Sequence, residues 1–172
     1  MLFGSLFSSY ALLRAGAPSW PDQSTIVNVP LATLNTVVLI ASSVTMVMAW
    51  ASLKSQSLPK FRLYMGLTLL CGAIFLVVKT IEYSDKFTHH LVPGPNFLWE
   101  GLYPKPAEQF YSLYFAMTGL HALHMVIGLG IMTVIRIMAA RKTYDSEYYT
   151  PVEVAGLYWH FVDIVWIFLF PL

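Results

Sequence analysis

The sequence predicts an all-α fold, a polytopic membrane helix bundle with about five transmembrane helices, and three observations predict it. Of its 172 residues 57% are hydrophobic and 11% charged, with a mean hydropathy of +0.62. Soluble domains carry about 25% charged residues, so this chain has too little polar surface to face water all round. Its apolar residues also gather in runs that match the hydrocarbon core, which takes about 20 residues per helix. Finally, its basic residues concentrate in alternate connections between those runs.

The first run, MLFGSLFSSYALLR, is apolar but stops at Arg14. At 1.5 Å per residue it reaches about 20 Å, short of a core of about 30 Å. It lacks the basic start and small-residue cleavage site of a signal peptide. It reads as the later part of a helix whose beginning is not in this sequence. Pro30 to Leu53 is an unbroken apolar and small-residue run and predicts the first full span. Within it Ala41, Thr45 and Ala49 form a small-xxx-small stripe that permits close helix contact. Phe61 to Tyr83 predicts the second full span, Glu108 to Ala139 the third and Pro151 to Leu172 the fourth. The expectation is one membrane domain over 1–172, with helices near 1–14, 30–53, 61–83, 108–139 and 151–172. The Ser84 to Pro106 connection, with its LVPGPNFLWEGLYPKP, is expected to lie as a lid across helix ends, Trp99 and Tyr103 at headgroup level.

Lysine and arginine counts orient the bundle. The Ser52 to Arg62 connection holds Lys54, Lys60 and Arg62 and no acid, and the Arg136 to Tyr149 connection holds Arg136, Arg141 and Lys142. The opposite connections hold only Lys86 and Lys105. The basic side is expected to be cytoplasmic, with the C-terminus outside. A net charge of +1 argues against nucleic acid as a partner. The one cysteine, Cys71, offers neither a disulfide framework nor a thiolate cluster.

Charged side chains in hydrocarbon cost about 2.5–3.5 kcal/mol on insertion scales and are expected to have partners. In the last span, LYWHFVDIVWIFLFPL, the residues Glu153, Gly156, His160, Asp163 and Ile167 recur at steps of three and four on one face. His160 and Asp163, one turn apart, are placed to hydrogen-bond directly or through a water. The third span, YFAMTGLHALHMVIGLG, carries His121 and His124 with Met117 and Gly128. If the two polar faces meet, His121, His124, His160 and Asp163 form a buried inter-helix network. Three readings of that cluster are open: a structural hydrogen-bond network, a metal site or a proton relay. Lys79, Glu82 and Lys86 stand one turn apart as a helix-end ion-pair ladder. Arg141 and Lys142 are candidate contacts to lipid headgroups.

Five segments in order carry a family resemblance. YWHFVDIVWIFLF (Tyr158 to Phe170) resembles the last helix of subunit III of cytochrome c oxidase, within the haem-copper oxidases. TGLHALHMVIG (Thr118 to Gly128) is similar to that family's glycine-and-histidine helix, with Ala122 where a glycine is more usual. LNTVVLIASSVT (Leu34 to Thr45) and KTIEYSDKF (Lys79 to Phe87) are similar to its middle helices, and MLFGSLFSSYALL to the end of the helix before them. The resemblance implies a short, five-helix bacterial-type form without the two helices that wall one side of the family's lipid cleft. The family's intramembrane glutamate would lie upstream of Met1.

The resemblance further implies an accessory subunit that binds no haem or copper itself. Those centres are expected in partner subunits I and II. This chain is expected to pack on subunit I, hold structural phospholipid and support proton uptake and turnover stability. It is expected in a bacterial cytoplasmic membrane, ahead of the mitochondrial inner membrane. The alternatives are a small homologous subunit of a nitric oxide reductase or quinol oxidase, or a stand-alone proton or metal membrane protein built on the histidine cluster.

Overall fold

The computed structural model describes residues 2–17, 29–88, 91–93, 104–140 and 149–170. Among them are five helices and no strand: α1 (Leu2–Gly16), α2 (Val29–Lys54), α3 (Leu58–Thr88), α4 (Pro104–Ala140) and α5 (Thr150–Leu169). Helices α2 to α5 are long and apolar enough to cross a membrane, whereas α1, with 15 residues, is about 22 Å long. The chain is an integral membrane protein.

The helices begin and end for local reasons. The α2–α3 connection is short because the chain reverses in a Schellman turn. Ser57 N–H donates to the Ser52 carbonyl (2.9 Å) and Gln56 N–H to that of Leu53 (3.0 Å), with Gln56 in the left-handed region at φ 57°. Pro59 in the first turn of α3, Pro104 and Pro106 in that of α4 and Pro151 in that of α5 fall where a missing N–H leaves no bond unmade. Helix α3 runs on to Thr88 and α4 starts at Pro104, so both ends of the connection expected from Ser84 to Pro106 are helix. Ser84, Asp85 and Lys86 end the apolar run without ending the hydrogen-bond ladder. Trp99 and Tyr103 lie outside the described residues.

Helix α2 packs on α3, α3 on α4, α4 on α5, and α5 back on α2, while α1 leans on α4 from outside. The four spans thus close into a ring. Its outer surface is apolar: α2 exposes Leu34, Val37, Ile40, Val44 and Val47. Its inner stripe holds Ala32, Asn35, Leu39, Ser42, Met46, Ala49, Ser52 and Leu53. A soluble helix would show the opposite arrangement, and this one suits lipid outside and protein contacts within. Of the expected small-residue stripe only Ala49 is fully buried; Ala41 is exposed and Thr45 half-buried, because the buried face follows Leu39, Ser42 and Met46.

Two tryptophans of α5, seven residues apart, join the ring across its centre. The Trp159 indole lies fully buried against Gly72 of α3 and Gly128 of α4. Its Nε1–H donates to Ser42 Oγ on α2 (3.0 Å), and the Ser42 hydroxyl in turn donates to the Leu39 carbonyl (2.7 Å). Two turns on, Trp166 Nε1–H donates to Thr36 Oγ1 (3.1 Å), which donates to the Ala32 carbonyl (2.9 Å). The Trp166 ring meets Phe75 of α3 edge-on (centroids 4.7 Å) and His121 of α4 (5.1 Å). Each indole therefore touches all three other spans, and its one polar atom is satisfied, as burial in low dielectric requires.

The two glycines are needed for closeness. A Cβ on Gly72 would stand 2.9 Å from Trp159 Cη2 and 2.8 Å from Leu129 Cδ2; one on Gly128 would stand 3.0 Å from Trp159 Cε3. A Cβ on Gly130, two residues on, would meet nothing within 4 Å beyond its own helix backbone. Gly72→Ala is expected to lower stability by about 1–3 kcal/mol through overpacking, and Gly130→Ala to leave it unchanged or slightly higher. Thermal denaturation of the detergent-solubilised protein checks both.

Candidate functional site

The polar side chains singled out from the sequence fall in three places rather than one. On the α2–α5 seam, His160 Nδ1 lies 2.6 Å from Ser43 Oγ, not against Asp163. Asp163 is buried, and neither carboxylate oxygen has a hydrogen-bond partner among the described residues. Ser43 lies beside that carboxylate as well, and a hydroxyl that accepts from His160 Nδ1–H still has its own proton to turn toward Asp163. Ser43, His160 and Asp163 line one cavity of about 250 Å³ with Thr36, Ile40 and Ile167. His160 also borders a neighbouring cleft of about 200 Å³, shared with Glu153, Gly156 and Trp50. Glu153 itself is exposed in the first turn of α5, where a helix N-terminus favours negative charge.

The α4 histidines go elsewhere. His121 is buried in the core between Phe75 (centroids 5.5 Å) and Trp166 (5.1 Å), and neither ring nitrogen has a partner among the described residues. His124 turns toward α1, its ring 5.6 Å from that of Phe3, and donates from Nδ1 to the Leu120 carbonyl (2.8 Å). The expected meeting of His121, His124, His160 and Asp163 therefore does not occur as a single network. Residues three apart on a helix differ by about 60° around its axis, enough to send one inward and the next to a neighbouring seam. The α4–α5 contact is made instead by Gly128 against Trp159 and Tyr158, whose hydroxyl donates to the His124 carbonyl (3.2 Å). Among the described residues no three His, Cys, Asp or Glu side chains converge, so no ligand set for a metal ion is assembled there.

The third place is the α3–α4 junction. Lys79 Nζ donates to Glu82 Oε2 (2.7 Å), both side chains less than a tenth exposed, and the Tyr114 hydroxyl of α4 donates to Glu82 Oε1. The Lys79 ammonium also stands 4.7 Å from the Trp166 ring centre. Lys86 lies over Tyr114 (5.2 Å) and Tyr111 (5.9 Å), and Tyr83 bonds Thr118. The ladder expected along α3 alone is thus a junction between two helices and α5. Tyr111, Tyr114 and Thr118 complete it, and their spacing of three and four in YSLYFAMT was the available signal. Arg141 and Lys142 lie outside the described residues.

The Lys79–Glu82 pair is expected to resist single substitution most. Lys79→Met should cost about 3–5 kcal/mol by stranding a buried carboxylate. The double variant Lys79→Met, Glu82→Gln should recover most of that loss. A double-mutant cycle on thermal midpoints in detergent reads the coupling, and equal losses in the single and double variants would show that the pair is not coupled.

Comparison with known proteins bears on the whole chain. Residues 4–172 match the family model described as cytochrome c oxidase subunit III. The chain is similar to the cytochrome c oxidase subunit 3 of Thermostichus vulcanus, with 34% identity over 173 residues covering 100% of this chain and 79% of that protein. It is similar to that of Bacillus subtilis (strain 168), at 31% over 99% of this chain and 77% of that one. It is also similar to that of Corynebacterium diphtheriae, at 34% over 99% and 78%. On a match that runs through every described helix, the chain belongs to the cytochrome c oxidase subunit III family.

Proposed function

We propose that this chain is an accessory, non-redox subunit of a respiratory haem-copper oxidase, seated against the subunit that carries the haem and copper. The observation that carries this reading is the family match across residues 4–172. The geometry supports it. Histidines and an acid sunk in the helices serve contacts between helices: His160 on Ser43, His121 beneath Trp166, Glu82 on Tyr114. A ring closed through Trp159 and Trp166 is a rigid wall, suited to holding one flank of a neighbour in place while protons enter beside it.

Structural phospholipid fits the outer face. Between α4 and α5 runs an apolar groove of about 1030 Å³, lined by Ile131, Val134, Met138, Val154 and Tyr158 among others, matched to acyl chains in polarity. The chain sits in a bacterial cytoplasmic membrane with the Lys54, Lys60 and Arg136 end inside, by the positive-inside rule. Arg136 reaches from α4 onto Gly66 of α3, so these basic groups gather at one end of the bundle.

The test is purification of the oxidase from native membranes with a subunit inventory by mass spectrometry and a haem and copper assay. The chain is expected in equal amount with a haem-bearing large subunit. Stripping it from the complex should leave haem and copper behind, with a shortened lifetime under turnover. Stoichiometric metal or haem on the isolated chain, lost on His121→Ala, would overturn the proposal; so would co-purification with a nitric oxide reductase instead.

A further inference from the structure

We infer that the α2–α5 groove binds a neutral lipid with a hydroxyl head, and that His160 Nε2 accepts the hydroxyl proton.

The groove is two cavities in line along α5. Glu153, Trp50 and Gly156 border the first, Ser43 and Asp163 the second, and His160 stands in the wall of both. Its rim is apolar: Val47 and Leu157 at the first cavity and Ile40, Ile164 and Ile167 at the second are exposed. An apolar tail is matched to that rim, and the polar groups inside decide the head.

Ser43 Oγ lies 2.6 Å from His160 Nδ1, and the Asp163 carboxyl beside it keeps an acceptor oxygen in either protonation state. With the single Ser43 proton turned to Asp163, Oγ accepts from His160 Nδ1–H. A neutral imidazole that donates from Nδ1 has only a lone pair at Nε2. That atom has no partner among the described residues, and it is not sealed in as the Asp163 oxygens and Trp50 Nε1 are. Glu153, exposed at the mouth, also only accepts. The Thr36 hydroxyl is already used, accepting from Trp166 and donating to Ala32. The reachable polar lining is therefore a set of acceptors, and it selects a donor. A phosphate or carboxylate head would meet the Glu153 charge and the Nε2 lone pair. An ammonium at His160, about 10 Å along α5 from Glu153, would carry its charge into hydrocarbon at a cost. A hydroxyl donates one hydrogen bond and brings no charge. The α4–α5 groove has no histidine or carboxylate in its lining, so it offers acyl chains a surface without this preference.

The test uses the complex purified from native membranes and three photoaffinity probes with a diazirine in one long alkyl tail: a primary alcohol, its methyl ether and the corresponding carboxylate. Labelled residues are mapped by peptide mass spectrometry. The alcohol is expected to label Leu157 and Ile164 about fivefold more than the ether, the worth of one hydrogen bond, and more than the carboxylate. Ile131 in the α4–α5 groove should take alcohol and ether alike. Ser43→Ala frees the imidazole to carry its proton on Nε2, so the alcohol-to-ether ratio at Ile164 should fall to parity or invert. Equal labelling by alcohol and ether in the unaltered complex would overturn the inference. So would a preference for the carboxylate, an alcohol preference that survives Ser43→Ala, or a rim that no probe reaches because another subunit covers it. Each of these leaves the proposed function standing, since that rests on co-purification with the haem-bearing subunit. Labelling at Ile131 reports whether Ser43→Ala is folded, and if it is not, the ratio in the unaltered complex decides by itself.

Discussion

The rest of the bundle depends on the Trp159 indole, which fills the point where α2, α3 and α4 approach α5. Its ring faces two glycines, and its nitrogen reaches a serine that forwards the hydrogen bond to its own helix. Truncating a buried tryptophan removes about 3–5 kcal/mol, and here the loss would fall on three helix contacts together. Trp166 repeats the device two turns on, with Thr36 in place of Ser42 and Phe75 and His121 as its walls. A ring of four spans with only side-chain dispersion between them has no hydrophobic force to hold it in lipid. Large flat side chains seated on small residues supply the packing that replaces it.

This also explains why the polar residues lie where they do. In water the outer faces of α2 to α5 would be unstable; in a bilayer they are matched to the solvent, and the costly groups are those that can hydrogen-bond. Ser42, Thr36, Ser43, Thr45 and Thr68 stand between spans with hydroxyls bonded across the seams. The buried ion pair Lys79–Glu82 is further bound by Tyr114 and roofed by Trp166. Removing one partner of such a pair costs more than the intact pair contributes, because it strands a buried charge.

The two flanks of α5 then differ in character. Toward α4 the seam is closed by Gly128, Tyr158 and Trp159, and its outer groove is apolar. Toward α2 the seam is clasped at Ser42 and Ser43, which take Trp159 and His160.

From composition and run length alone came the membrane class, the four full spans, the short first helix and their order, since the length of an apolar run and the absence of charge are properties of the chain itself. Five segments in order, with the last-helix motif foremost, were enough to name the family. The placement of the ionisable groups was not readable. A helical face about 100° wide tells which residues point roughly inward, not which of three neighbours they meet. So His121 and His124 were grouped when they serve different helices, and His160 was paired with Asp163 when its partner is Ser43 on α2. Tyr114 and Trp166 joined the Lys79 junction unannounced for the same reason. Run lengths are written along the chain, whereas partners depend on helix rotation and on where a glycine admits an indole, and only the packed ring sets those.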